Sequence, residues 1–153
     1  MHKKLAATLT AALALTLTQV APPAAARQGG HAVLTPAAEV KWADVPGFPG
    51  VQMAVLGGNP GKGAHHSMLK FTAGFSAPLH HHTTDHYGTV IAGTLVLVVD
   101  GTENKLPPGS YFAFTGKAAH ATRCEPGADC VLAIDARGKW DVVPEGTKPA
   151  AKK

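Results

Sequence analysis

The chain has 153 residues, a formal net charge of +4, 45% hydrophobic residues and only 6% aromatic residues. This length fits one small globular domain, and a charged fraction of only 16% among recurrent apolar runs argues against a largely disordered chain. So mild a charge also argues against a nucleic-acid binder, which needs a strongly basic surface to neutralise phosphates.

The first 26 residues have the features of a secretory signal peptide. The short basic start MHKK precedes an uncharged apolar run, and the small residues of Ala24–Ala26 supply a cleavage pattern. The alternative is an uncleaved membrane anchor, but the apolar run is short for a membrane span. We therefore expect cleavage after Ala26, export to the periplasm or the medium, and no membrane attachment afterwards.

After the leader, residues 27–40 are small and polar and predict a flexible lead-in. From residue 41 to 143, short β-type runs alternate with turns rich in Gly, Pro and Asn; the runs include VQMAVLGG, HSMLKFT, YGTVIAG, TLVLVVD, HATRC and CVLAIDA. Because no convincing amphipathic helix interrupts them, the sequence predicts a small all-β barrel or sandwich. Residues 144–153, rich in Pro, Ala and Lys, predict a flexible basic tail.

The two cysteines, Cys124 and Cys130, flank the insert EPGAD, which holds a Pro-Gly turn signal. If this insert caps a hairpin, the two cysteines face each other across it. Export would also place them in an oxidising compartment. The pattern favours a disulfide over a pair of free thiols.

The densest chemical signal is PLHHHTTDHYG, residues 78–88, which places four histidines within seven positions. Side chains two apart in a strand share a face, so His80 and His82 point one way and His81 the other. A turn or bulge over TTD can return His86 to the same point. His120, about three strands later, supplies a distant fourth ligand. This spacing predicts a metal site rather than a loose exposed tract.

The stretch GFSAPLHHHTTDHYGTVIAG resembles the first motif of the cupin family. Both glycines, Gly74 and Gly93, and both leading histidines fall at the expected spacing. His86 stands where the family normally has Glu. An imidazole still binds metal, but a carboxylate that could serve as a base is removed.

The stretch GSYFAFTGKAAHATRC resembles the second cupin motif at Gly109 and His120. It departs from that motif at three positions, where Pro, Gly and Asn are usual: Thr115, Lys117 and Cys124. The resemblance covers roughly residues 40–143.

The resemblance implies a double-stranded β-helix, a conical jelly-roll barrel with a metal ion in its mouth. It also implies four ligands: His80, His82, His86 and His120. Four neutral ligands leave the full charge on a divalent ion, which favours an anionic group in the open positions. Imidazole-rich sites suit Fe, Mn, Ni, Cu or Zn, and the sequence does not choose among them.

Two classes of function stay open. The first is an exported metal-dependent enzyme of dioxygenase or isomerase type that acts on a small organic molecule. The second is a non-catalytic periplasmic binding or sensing module with a structural zinc ion. The four aligned histidines argue against a metal-free sugar-binding or epimerase cupin. The resemblance also implies pairing into a homodimer through strand edges.

Five side chains near these motifs carry weaker expectations. Asp85 either accepts the N–H of a ligand imidazole or belongs to the turn. Phe112 and Phe114 share a strand face and are expected in the core. Trp42 and Trp140 flank the barrel and are expected to cover its outer side.

The remaining histidines and basic residues are expected outside the site. His66 either reaches the pocket or lies at an exposed strand end, and the second is favoured. His65 lies on the same predicted strand, and His31 lies in the lead-in. Lys117 and Arg123, near His120, would attract an anion if they faced the pocket, but surface basic residues seldom do so.

Overall fold

Eleven strands and one 3-10 turn, Ala37–Glu39, make up the part of the chain that the computed structural model describes, residues 31–146. The strands are β1 (Ala43–Asp44), β2 (Val51–Gly58), β3 (His65–Phe71), β4 (Ser76–His81), β5 (His86–Ala92), β6 (Leu95–Val99), β7 (Thr102–Leu106), β8 (Tyr111–Phe114), β9 (His120–Cys124), β10 (Cys130–Ala136) and β11 (Val143–Pro144). The expected signal peptide, residues 27–30 of the lead-in and residues 147–153 of the tail lie outside the described residues.

The strands form two antiparallel sheets. One sheet has the order β1-β2-β3-β10-β5-β8, and the other has the order β11-β4-β9-β6-β7. Both sheets contribute side chains to a single core, for example Leu69 and Leu132 from the first and Leu95 and Leu97 from the second. The all-β jelly-roll barrel expected from the sequence is confirmed for residues 35–146, which form one unit. Within residues 31–146, no helix is both long and apolar enough to cross a membrane.

Most of the inner strands show the alternation expected of a β-strand, in which successive side chains point to the core and to the solvent. In β10, every second residue is buried, beginning with Cys130 and ending with Ala136, and β3 alternates in the same way. Strand β6 instead buries three consecutive residues, Leu95 to Leu97, so both of its faces are covered, as its uninterrupted apolar run predicts.

The outer face of β6 lies beneath an ionic network. In the sheet register, Val96 lies between Lys105 of β7 and Arg123 of β9. Lys105 pairs with Glu125 and Arg123 pairs with Glu103, at N–O distances of 2.5 and 2.8 Å. The aliphatic stems of such basic side chains cover apolar surface while their charged ends stay in water. This arrangement places these charges on the outside of the barrel.

The cupin-like glycines occupy positions that only glycine tolerates. Gly93 has a φ of +71°, and a Cβ atom there would lie 2.5 Å from the carbonyl oxygen of Asp129. A side chain would therefore both strain the backbone and clash with the loop that joins β9 to β10.

A disulfide joins the two sheets. It links Cys124 of β9 to Cys130 of β10, with a Cα–Cα distance of 5.7 Å, and both residues are almost fully buried. The disulfide predicted from the EPGAD insert is therefore present. The expected hairpin is not, because β9 and β10 belong to different sheets, and the disulfide instead fixes the connection between the sheets.

Candidate metal centre

The histidines of the two motifs meet where the chain passes between the sheets. His80 lies near the end of β4, His82 just follows it, and His86 opens β5 in the other sheet. His120 opens β9 and lies directly opposite His80 in the β4–β9 register. Antiparallel pairing thus brings together residues that are forty positions apart in sequence.

The four imidazoles form a buried cluster. One ring nitrogen each from His80, His82 and His120 lies within 4.8 Å of the other two. His86 is not part of that group, but its ring centroid is 4.5 Å from that of His82 and 6.1 Å from that of His120. All four side chains are buried. The structure therefore brings the four predicted residues together, while their role as metal ligands stays a prediction.

Backbone carbonyls fix the orientation of three of the rings. His80 Nδ1 donates to the carbonyl of Pro78 at 2.7 Å, and His120 Nδ1 donates to that of Ala118 at 3.1 Å. His82 Nδ1 likewise donates to the carbonyl of Asp141. Because these acceptors require the proton on Nδ1, the Nε2 lone pair of each ring is free for a ligand. Metal-binding histidines in proteins are typically held in this way.

A register shift in β4 leaves the carbonyl of Pro78 free to accept the hydrogen bond from His80. The register between β4 and β9 shifts between Ala77 and His80, where Pro78 interrupts the strand. Proline has no N–H for the ladder and is found in sheets at edges and bulges. The carbonyl of Pro78 can therefore bond to His80 two residues later.

Burial keeps these imidazoles neutral. Desolvation, together with the neighbouring His86, lowers the pKa of His82 to about 4. Desolvation and the nearby His120 lower the pKa of His86 to about 4. The pKa of His120 also falls to about 4, and that of His80 is lowered, in both cases chiefly by burial. At neutral pH the rings are uncharged, so a metal ion need not displace protons to bind them.

Trp140 belongs to this cluster, and the expectation that it covers the outside of the barrel is wrong. Its ring centroid lies 4.3 Å from that of His82 and 5.2 Å from that of His86. Trp42, in contrast, lies under the ammonium group of Lys70, 4.4 Å from its ring centroid. Trp140 was missed because it follows β10 in a connection without periodic pattern, where sequence does not indicate the direction of a side chain.

Phe112 and Phe114 pack as expected. Phe114 is buried and stacks on the His120 ring, with centroids 3.8 Å apart. Phe112 is partly buried against the core, and both rings face the histidines. The Asp85 carboxylate accepts a hydrogen bond from the backbone N–H of Gly116, in the turn between β8 and β9, at 2.9 Å. Asp85 therefore stabilises a turn.

The other histidines lie outside the cluster. His81 points away from it and bonds through Nδ1 to the carboxylate of Glu145 at 2.6 Å. His66 is exposed and lies 3.5 Å from Asp135, as favoured from the sequence. His65 is only 2% exposed, and its ring meets the edge of Trp140 at a centroid distance of 5.9 Å, a burial that the sequence did not indicate.

Three buried polar atoms have no hydrogen-bond partner among the described residues. They are His65 Nε2, Ser67 Oγ and His86 Nδ1. His65 and His86 lie on opposite sides of Ala136 in the sheet register. The backbone of Thr84 lies near His86, so the fit to a metal ion rests on the three convergent nitrogens of His80, His82 and His120.

The histidines line one part of a cavity of about 250 Å³ between the two sheets. The remaining walls are mainly apolar: Val45, Phe48, Val51, Leu69, Phe71, Phe75, Ala77, Leu95, Leu97, Phe112, Phe114, Leu132, Ile134, Trp140 and Val142. Thr122 and Asp141 complete the lining, and neither Lys117 nor Arg123 contributes to it. Both residues therefore lie outside the lining, as favoured from the sequence, and Arg123 pairs with Glu103.

A two-sheeted barrel around a partly open cavity, with a histidine cluster in its wall, is a jelly-roll β-barrel. The comparison with known families agrees: residues 67–136 match the family model of the cupin domain. This stretch is therefore a cupin domain, as the two motifs indicated. None of the curated proteins matches the sequence significantly.

Solved structures share this fold. The polyketide cyclase RemF from Streptomyces resistomycificus is 19% identical, with a TM-score of 0.65, covering 78% of this chain and 89% of its own. An RmlC-like cupin from Shewanella frigidimarina is 20% identical, with a TM-score of 0.56, and the match covers 70% of this chain and 92% of the Shewanella chain. A cupin-superfamily sugar phosphate isomerase from Silicibacter pomeroyi is 21% identical, with a TM-score of 0.53, and the match covers 69% of this chain and 76% of the Silicibacter chain.

Proposed function

We propose that this chain is an exported metal-binding cupin that acts on a small organic molecule held in its cavity. The proposed ligands are the four buried histidines: His80, His82, His86 and His120. The observation that carries the proposal is the convergence of three imidazole nitrogens within 4.8 Å beside a partly open cavity. Neutral imidazoles with free lone pairs suit Fe, Mn, Ni, Cu or Zn.

Such an ion, when bound, would polarise a ligand oxygen, and a redox-active metal would extend the chemistry to dioxygenase-type reactions. The protein's own residues prepare the site. Backbone carbonyls hold the imidazoles in place, and Trp140 covers His82 and His86. The apolar walls keep water away from a bound molecule. The choice between dioxygenase-type and isomerase-type activity depends on the metal.

The names of the structural neighbours do not select the substrate. One is described as a polyketide cyclase and another as a sugar phosphate isomerase. At about one-fifth identity these likenesses establish the fold alone, and one fold supports many unrelated activities.

Anaerobic reconstitution tests the enzymatic proposal. Protein loaded separately with Fe(II), Mn, Ni, Cu or Zn is incubated with diketones, flavonols and hydroxy-aromatic compounds, and oxygen uptake and products are measured. We expect turnover with at least one metal, its loss in His120→Gln, and its retention in His66→Gln, where the substituted ring is exposed. Bound metal without turnover for any compound would overturn the enzymatic proposal.

A second candidate is a non-catalytic binding or sensing module with a structural zinc ion. One observation favours it. The cavity lining contains a single carboxylate, that of Asp141, which accepts hydrogen bonds from the backbone N–H and the hydroxyl of Thr83. No free carboxylate among the described lining residues is therefore available as a base. A large rise in melting temperature with zinc and no turnover would support this candidate.

Export and homodimerisation are part of the proposal. The Cys124–Cys130 disulfide supports export, because disulfides persist in oxidising compartments. The exposed apolar residues Val55 and Leu56, on a strand that pairs with β1 only at Gln52 and Met53, support association. Subcellular fractionation and light scattering of the purified protein test these two points. Cytosolic protein would contradict export, and a monomeric mass would contradict dimerisation.

A further inference from the structure

The cavity has the character of an apolar enclosure with one polar end. Six aromatic side chains contribute to its walls: Phe48, Phe71, Phe75, Phe112, Phe114 and Trp140. At about 30 Å³ per water molecule, its volume of about 250 Å³ corresponds to roughly eight waters. That space suits a small molecule of one or two rings.

No cation lines this cavity in the described part of the chain. Arg123 and Lys105 pair with glutamates on the outer face of β6, and Lys70 lies over Trp42. Arg137 pairs with Asp135 and lies over the Tyr87 ring. A phosphate group inside the cavity would lose its hydration without gaining a protein counterion, which is strongly unfavourable.

The histidine end differs from the rest. A divalent ion held by neutral imidazoles keeps its 2+ charge, and the Asp141 carboxylate in the same lining, close to His82, offsets one unit of it, so one positive charge remains for an acidic group of a ligand. The charge balance of the cavity therefore allows one ionisable oxygen group, at the end of the ligand that faces the histidines. It leaves no compensation for a second charge deeper in the barrel.

From this distribution we infer the substrate class: an apolar, ring-containing molecule with one ionisable oxygen group that faces the histidines, and not a phosphorylated or polyhydroxylated sugar. This inference rests on the proposed function for its metal-facing end. The apolar walls carry the rest of it independently, because they do not depend on a bound ion.

Isothermal titration calorimetry with three probes tests the inference. Tropolone is a ring with two adjacent oxygens, toluene is a ring without oxygen, and glucose 6-phosphate is a charged sugar. Each is titrated into zinc-loaded and metal-free protein, and the zinc content is measured again afterwards. We expect toluene to bind both forms, tropolone to bind the zinc form about tenfold or more tightly than the metal-free form, and glucose 6-phosphate to bind neither.

Matched variants locate the binding site. Phe48 is a partly buried wall residue, and Phe48→Ala should weaken toluene binding about tenfold. Ile91→Ala, on an exposed position of β5, should leave toluene binding unchanged. If Phe48→Ala does not fold, Phe48→Leu should still weaken binding, because it removes the ring while keeping an apolar side chain.

The outcomes separate the two proposals. If the protein takes up none of Fe, Mn, Ni, Cu and Zn, the proposed function fails, and the preference of metal-free protein for toluene over glucose 6-phosphate still decides the inference. Tighter binding of glucose 6-phosphate than of toluene and tropolone would overturn the inference, even in a protein that binds zinc. Equal toluene affinity for the Phe48 and Ile91 variants would also overturn it.

Discussion

At the scale of single residues, the site depends on backbone acceptors more than on acidic side chains. The carbonyls of Pro78, Ala118 and Asp141 hold three imidazoles through Nδ1. Replacement of a side chain at Ala118 or Asp141 leaves the carbonyl itself in place. The orientation of the rings is therefore set mainly by the path of the chain, and the packing of Trp140 against two of them adds to it.

We predict that Trp140→Ala lowers the free energy of unfolding by about 2 kcal/mol, below the ~3–5 kcal/mol typical of a fully buried tryptophan, because Trp140 is only partly buried. Urea denaturation of the metal-free protein measures the change. Trp42→Ala is the control on the outer face and should cost less, since that ring is held mainly by Lys70. Equal costs for both variants would contradict the inward packing of Trp140.

We also predict that metal-free protein loses stability as the pH falls from about 6.5 to about 4. His82, His86 and His120 have pKa values of about 4 in the folded state against 6.5 in an unperturbed chain. Between these values the unfolded chain binds more protons, so the free energy of unfolding decreases with decreasing pH. Each pKa unit corresponds to about 1.4 kcal/mol, which is large against a typical total of ~5–15 kcal/mol.

Urea denaturation at several pH values in this window, in the presence of a chelator, measures the effect. His66→Gln should keep the same pH dependence, because the ring it removes is exposed. A stability that stays constant from pH 7 to pH 5 would contradict this prediction, because it would mean that the folded and unfolded chains take up protons equally in this range.

The sequence predicted which histidines converge but not how they are held. His80 and His82 share a face because they are two residues apart, and His120 followed from the second motif. The carbonyl acceptors have no side-chain signature, so they were not predictable. His65 was missed for a related reason: alternation divides β3 into two faces without saying which is inside, and the face of His65, Ser67 and Leu69 proved to be buried.

At the scale of elements, the β9–β10 connection passes from one sheet to the other, and its two strands carry both His120 and the disulfide. Cys124 ends β9 four residues after His120 and bonds to the first residue of β10. The disulfide thus restrains the strand that positions one of the proposed ligands.

We predict that the double variant Cys124→Ala, Cys130→Ala lowers the free energy of unfolding by about 2 kcal/mol, as expected for closure of so short a loop. The variant should also bind metal more weakly, since β9 is less restrained. Urea denaturation and zinc titration measure the two effects, and wild type treated with reductant serves as the control. Unchanged stability in both the variant and the reduced wild type would contradict a structural role of the bond.

The boundaries of the strands were more predictable from the sequence than the irregularities within them. The runs VQMAVLGG, HATRC and CVLAIDA correspond to β2, β9 and β10 residue by residue, because glycine, proline or a charged turn bounds each of them. The turn predicted over TTD, residues 83–85, joins β4 to β5. The bulge at Pro78, which precedes His80, was not predicted. Its position depends on pairing with β9, which is a long-range property.

At the scale of the whole molecule, charge and polarity are separated. Ion pairs lie on the outer faces of the strands, whereas the interior combines four neutral imidazoles with apolar walls. This separation explains why composition and net charge were uninformative about the ligand. Arg123 is near His120 in sequence, and the fold turns it outwards to Glu103, in agreement with the surface position favoured from the sequence.

The measurement that tests the central claim most directly is the metal content of the protein, purified without an added histidine tag. We predict about one divalent ion per chain, lost in His82→Ala and in His120→Ala. The ion should be kept in His81→Ala, because His81 lies outside the cluster and bonds to Glu145. Wild-type protein that holds no metal, even after reconstitution with Fe, Mn, Ni, Cu and Zn, would contradict the account.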